Sequence, residues 1–141
     1  MKNWDEIAST SELLAAQEIK RSWDEGDLEE AERGLNQLIE TMSRSERRTL
    51  QSQLVQLMHH IIKWKIQPEK RSKSWLLTIN NARFEIKSLR EYTPSLNVPY
   101  IQSIWERVIA EARIEAEIET GVSADKEDLT WDEVFEKPYT L

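Results

Sequence analysis

The sequence predicts an all-α fold: a single-domain bundle of about five helices closed by a short C-terminal helical turn. Two observations carry this. Glycine and proline are scarce, 3 and 4 among 141 residues, while Leu, Ile, Glu, Gln, Arg and Ala are plentiful, a balance that favours helices over a turn-rich β fold. Apolar residues also recur at spacings of three and four along most of the chain, the period of a one-sided helix. A chain of this length forms one domain and buries roughly two-thirds of its unfolded surface, so it needs neither metal nor disulfide to fold. No internal repeat or low-complexity tract interrupts it.

Each element follows from local signals. A first helix is expected within residues 4–24, with Ser9 and Glu12 at capping-box spacing and Gly26 ending it; Leu13, Leu14, Ile19 and Trp23 give it only a poor stripe. Asp27 is a good N-cap for a second helix, on which Leu28, Ala31, Leu35, Leu38, Ile39 and Met42 form one stripe. A third helix is expected to start at Ser43 or Ser45 and run to about Ile66. Its Leu50, Leu54, Leu57, Met58, Ile61 and Ile62, widened by Val55 and Trp64, span about half the circumference at about 100° per residue, the mark of a central helix. Gln67-Pro68 stops it, because a residue before proline avoids the α region.

After a short basic loop, Ser72 or Ser74 caps a fourth helix carrying Trp75, Leu76, Ile79, Ala82, Phe84, Ile86 and Leu89, which ends near Tyr92-Thr93-Pro94. Pro99 suits the first turn of a fifth, whose inner face is Ile101, Ile104, Trp105, Val108, Ala112 and Ala116, the two alanines permitting a close helix approach; Gly121 terminates it. In the tail, Thr130 and Glu133 again have capping-box spacing, and Trp131, Val134 and Phe135 are expected to staple it to the body. The domain thus reads as a variable segment 1–26, a core bundle 27–121 and a packed tail 122–141.

Charge is strongly segregated. Residues 1–42 sum to −7, residues 43–73 to +6, residues 74–97 to +1 and residues 98–141 to −7. Either the acidic ends neutralise the basic middle, or the middle is offered to an anionic partner. Cysteine is absent, which excludes thiolate zinc sites and a cysteine nucleophile and suits a reducing cytoplasm. No apolar run approaches the roughly 20 residues that span a bilayer, and the polar, acidic start is not a signal peptide. The expected setting is cytoplasmic, without membrane, metal or cofactor.

The run Ser45-Glu46-Arg47-Arg48, Leu50, Ser52 and Leu54, then His60-Ile61-Ile62-Lys63-Trp64, Gln67-Pro68, Arg71-Ser72-Lys73-Ser74-Trp75, Thr78-Ile79 and Arg83, with the tail Leu129-Thr130-Trp131-Asp132-Glu133-Val134-Phe135-Glu136, resembles a bacterial family catalogued only as domain-of-unknown-function family 29. The resemblance covers roughly residues 27–136; the first 26 residues lack the aromatic-rich pattern associated with that family. It implies an all-α fold and a bacterial origin, and no activity.

Four places are candidates for function. Lys63, Lys65, Lys70, Arg71 and Lys73 gather where the third helix gives way to the fourth. Cations at the end of a helix suit its dipole, whereas cations at a helix start run against it. Lys65, Lys70, Arg71, Ser72, Lys73 and Ser74 therefore either hold a phosphate-bearing or other anionic ligand at that start, or Arg71 pairs with a carboxylate of the first, second or fifth helix and the serines are plain caps. His60, one turn from Trp64 and two from Gln53, is a structural hydrogen-bonder, a general base or a ligand; His59 points about 100° away and is expected to be solvated. Glu115 and Glu119 read as part of a solvated acidic face. Basic residues interleaved with Trp64 and Trp75 suit nucleic acid, but an isoelectric point near 5.0 and the lack of a reading motif weigh against it. Ile114 and Ile118, off the inner stripe of the fifth helix, either mark a partner or homodimer surface or lie under another segment. The pattern as a whole reads as a non-enzymatic binding or regulatory module with an anion-attracting turn at 63–74; the alternative is a hydrolytic or nucleic-acid-processing enzyme using His60 and Arg71.

Overall fold

The computed structural model describes residues 2–141. Helices α1 (Trp4–Thr10), α2 (Glu12–Asp24), α3 (Leu28–Ile66), α4 (Lys73–Tyr92) and α5 (Val98–Thr120) are followed by a π-helical segment, Asp132–Glu136, and a 3-10 turn, Pro68–Lys70, lies between α3 and α4. Among the described residues there is no strand. The chain forms two compact units, residues 1–48 and 49–141.

In the first unit the single N-terminal helix expected from the sequence is two. Ser11 is extended, ends α1 and caps α2 by accepting from the Leu14 N–H at 3.1 Å; the Ser9 and Glu12 pair makes no cap. Gly26 turns the chain with φ of 82°, a left-handed conformation that glycine adopts without penalty. Asp27 then accepts from the Glu30 N–H at the start of α3. The buried apolar set is small: Trp4, Ala8, Ala15 and Ala31. Glu30, buried, accepts from the Trp4 indole N–H at 2.6 Å and from Arg33 at 2.5 Å. Gly34 leaves room for this packing, since a Cβ there would stand 2.8 Å from the Trp4 ring and from Ile19.

Residues 28–66 are one helix of 39 residues, where the sequence predicts two. Ser43 and Ser45 have the side chains of caps, but no glycine or proline breaks the backbone near them, and the flanking Glu and Arg residues favour continuation. Arg44 reaches back 3.4 Å to Glu40 across the expected break. The stripe of the first half also departs from expectation: Ala31 is buried and Leu38 half-buried, but Leu28, Leu35, Ile39 and Met42 are exposed.

The second unit is built around the latter half of α3. Leu50, Leu54, Leu57, Met58, Ile61 and Ile62 have no exposed surface, and each contributes roughly 1.5–3 kcal/mol by leaving water. Ile79, Ala82 and Ile86 of α4 and Ile101, Ile104, Val108, Ile109, Ala112 and Ala116 of α5 complete the core. Ser72, not Ser74, caps α4 by accepting from the Trp75 N–H. Asn97 caps α5, and Gly121, with φ of 70°, ends it.

The tail is fastened as the sequence expects. Thr130 and Glu133 form a reciprocal capping box, at 3.0 and 3.2 Å. Trp131 stacks on Trp105 at 5.9 Å, and Val134 is buried. Arg83 of α4 donates to the carbonyls of Val134 and Glu133. The Tyr139 hydroxyl donates to Glu133 O at 2.7 Å while its ring meets Trp64 edge-on; burial pushes its phenol up to about 12.

Candidate functional site

The cations of the α3–α4 elbow divide into two groups. Lys63 lies inside the second unit, 1 % exposed, with its ammonium 2.7 Å from Glu119 and 4.5 Å from the centroid of Trp75. Lys65 pairs with Glu133 at 3.1 Å and Glu127 at 3.7 Å. The acidic C-terminal part thus neutralises these two through carboxylates of α5 and the tail. In the first unit Lys2 pairs with Glu18 at 2.6 Å.

Lys70, Arg71 and Lys73 are different. All three are exposed, and none has a carboxylate partner within ion-pair distance among the described residues. Arg71 is nonetheless held: its Nε donates to the Trp64 carbonyl at 2.8 Å, and its guanidinium carbon lies 4.8 Å from the Trp64 ring centroid. That contact uses the flat face and one N–H of the guanidinium, so the terminal nitrogens stay available. Lys70 closes the 3-10 turn Pro68–Lys70, and Lys73 opens α4, so both stand within two residues of Arg71 in the chain. The Ser72 hydroxyl is occupied as a cap, and Ser74 is exposed in the first turn of α4.

Both histidines are buried. This corrects the expectation for His59, which the sequence places in solvent. Its Nε2 is 2.6 Å from Glu119 and its Nδ1 3.2 Å from Glu115, although neither contact meets hydrogen-bond geometry. Glu115 and Glu119, read as a solvated pair, therefore turn one edge toward α3. Spacing alone hides this, because it shows which residues share a face of α5 but not that α3 lies beneath that face. Lys63 as a hydrogen-bond donor holds the Glu119 carboxyl below the usual range, against the opposing effect of burial. The two carboxylates approach opposite ring nitrogens and so do not converge on one point. Among the described residues no three or more His, Asp or Glu are placed to hold a metal ion.

His60 Nδ1 lies 2.9 Å from the Gln56 carbonyl. A carbonyl only accepts, so Nδ1 carries the proton, and burial pulls the ring's basicity below the ordinary histidine value. Arg71 makes its contacts with Trp64, and His60 with Gln56 and with the His59 ring at 4.8 Å; among the described residues no hydrogen bond joins His60 to Arg71. Ile114 and Ile118 are 59 % and 80 % exposed. No helix among the described residues is long and apolar enough to cross a membrane.

A family model described as Domain of unknown function DUF29 matches residues 7–139, a longer stretch at the N-terminal side than the 27–136 over which the sequence motifs show the resemblance. No curated protein matches the chain. No solved structure matches it.

Proposed function

The chain belongs to the DUF29 family, and we propose that it serves as a non-enzymatic binding or regulatory module in the bacterial cytoplasm, meeting an anionic partner through Lys70, Arg71 and Lys73. One observation carries this reading: in a chain of net charge −7, these exposed cations at the elbow have no carboxylate of their own, while the neighbouring Lys63 and Lys65 are neutralised. Arg71 is positioned in advance by Trp64, so little side-chain entropy is lost when its terminal nitrogens engage a carboxylate or phosphate. The partner is a protein surface or small ligand presenting phosphate or clustered carboxylates. Base stacking finds little support at the elbow: Trp64 is buried and covered by Arg71, and Trp75 is half-buried with the Lys63 ammonium over its ring.

Heparin-affinity chromatography at low salt tests the reading. The parent protein is expected to be retained despite its acidity. Lys70→Glu combined with Lys73→Glu, both exposed and structurally unencumbered, is expected to abolish retention. Equal retention of the two proteins contradicts the proposal.

A further inference from the structure

A second cationic surface lies on α4. Arg83, Lys87 and Arg90 stand at i, i+4 and i+7, one stripe of a helix. With Phe84, Ile86 and Glu91 of the same helix and Phe135 and Glu136 of the π-helical segment, they line a cleft of about 620 Å³. That volume falls within the roughly 300–1,000 Å³ of small-molecule sites. We infer that this cleft binds a small organic monoanion, its charged head on Lys87 and Arg90 and its apolar body on Phe84 and Phe135.

The lining residues divide by role. Arg83 builds the wall: its Nε and one terminal nitrogen are spent on the Val134 and Glu133 carbonyls, and it lies over the Tyr139 ring. Arg90 donates its Nε–H to the Leu96 carbonyl at 2.9 Å, which fixes its orientation, and it makes no ion pair among the described residues, so its charge is not neutralised by a carboxylate there. Lys87 is exposed and makes no ion pair or hydrogen bond among the described residues. Beside it Phe84 is 67 % exposed, an apolar cost that a ligand's hydrocarbon or ring would relieve. Phe135, half-buried against Trp131 at 4.4 Å, gives a fixed apolar floor.

Charge restricts the ligand further. Glu91 and Glu136 also line the cleft, and no ion pair ties them to the three cations. Three cations against two carboxylates leave the cleft only weakly positive. A carboxylate or sulfonate with an apolar body fits this field. A nucleotide or other polyanion would meet Glu91 and Glu136 with its surplus charge. The site is separate from the elbow and does not depend on the elbow's function.

The test is a fluorescence titration with 8-anilinonaphthalene-1-sulfonate, a monoanion of the proposed class, with dodecanoate and ATP as competitors. The parent protein is expected to bind the dye saturably at one site per chain, dodecanoate to displace it and ATP to leave it bound. Lys87→Glu and Phe84→Ala, each checked for unchanged helicity, are expected to weaken the dye by about tenfold or more, as loss of one charge-assisted contact or one apolar wall does. Lys73→Glu, at the elbow, is expected to bind as the parent does. Non-saturable binding, displacement by ATP as effective as by dodecanoate, or parent-like affinity in both cleft variants overturns the assignment.

Discussion

The Nζ of Lys63 lies 2.7 Å from Oε1 of Glu119, although the lysine is 1 % exposed and the glutamate side chain is half-open to solvent. The lysine brings a charge into the second unit, and α5 answers it from the rim. Removing the partner of a buried charge costs far more than replacing the charge with an apolar isostere. Glu119→Ala is therefore expected to destabilise the protein by about 1–3 kcal/mol, less than for a fully dry pair because water reaches the carboxylate. Lys63→Met is expected to lie within about 1 kcal/mol of the parent. Urea denaturation measures both, and a Lys63→Met cost equal to that of Glu119→Ala would contradict the asymmetry.

Stability is expected to fall on acidification, in two stages. Burial places His60 below its ordinary value of 6.5 in the folded state, so between the two values the unfolded chain binds more protons at this ring and folding weakens as pH drops. Its contribution is complete above about pH 6.5 and is lost as pH falls through the lowered folded value. Glu119, held below 4.5 by Lys63, acts with the same sign at lower pH. Melting temperatures between pH 5 and 7.5 test the first stage. His60→Gln is expected to flatten the slope there relative to the parent, and an unchanged slope would assign it to other groups.

Arg83 joins α4 to the tail through two carbonyls and the Tyr139 ring. Arg83→Ala strands both carbonyls and is expected to cost about 2–4 kcal/mol, from hydrogen bonds of a charged donor at about 1.5–3 kcal/mol each, in part replaced by water. The loss should be local at first. Hydrogen exchange is expected to speed up in residues 131–139 before it does in the α3 core. Uniform acceleration would show that the tail and core open together.

Gly34 is the close-packing point of the first unit. A methyl group there meets the rigid Trp4 ring, itself anchored by Glu30. Overpacking costs about 1–3 kcal/mol, against which alanine gains about 1 kcal/mol of helix propensity. Gly34→Ala is thus expected to destabilise by about 1 kcal/mol on balance, with Trp4 fluorescence shifted. A stabilised variant would mean that α1 yields freely.

The elements legible in the sequence are those whose signals lie within one helix. The wide apolar arc of Leu50–Ile62, the Gln67-Pro68 stop, the Gly121 stop and the Thr130–Glu133 box each depend on neighbours a few residues away. The misreadings share another cause. Ser43 and Ser45 resemble caps, but a serine caps a helix only where the backbone leaves it, and nothing here makes it leave. His59 looks solvated from the phase of α3 alone, because its partners Glu115 and Glu119 stand on α5, more than fifty residues on. The same non-local pairing separates the elbow cations: Lys63 and Lys65 cannot be told from Lys70 and Lys73 until α5 and the tail are in place. The Arg83, Lys87 and Arg90 stripe escapes the sequence reading, because its meaning depends on Phe135 and Glu136 of the tail, which line the same cleft.

We propose that the open cations of the elbow meet an anionic partner. A residue-resolved NMR titration of the ¹⁵N-labelled protein with a heparin hexasaccharide tests it most directly. The largest shifts are expected at the amides of Lys70 to Lys73 and at the Arg71 side-chain Nε–H, saturating together and vanishing as salt is raised. Shifts concentrated instead at Arg44, Arg47 and Arg48, or spread evenly over the surface, would contradict it.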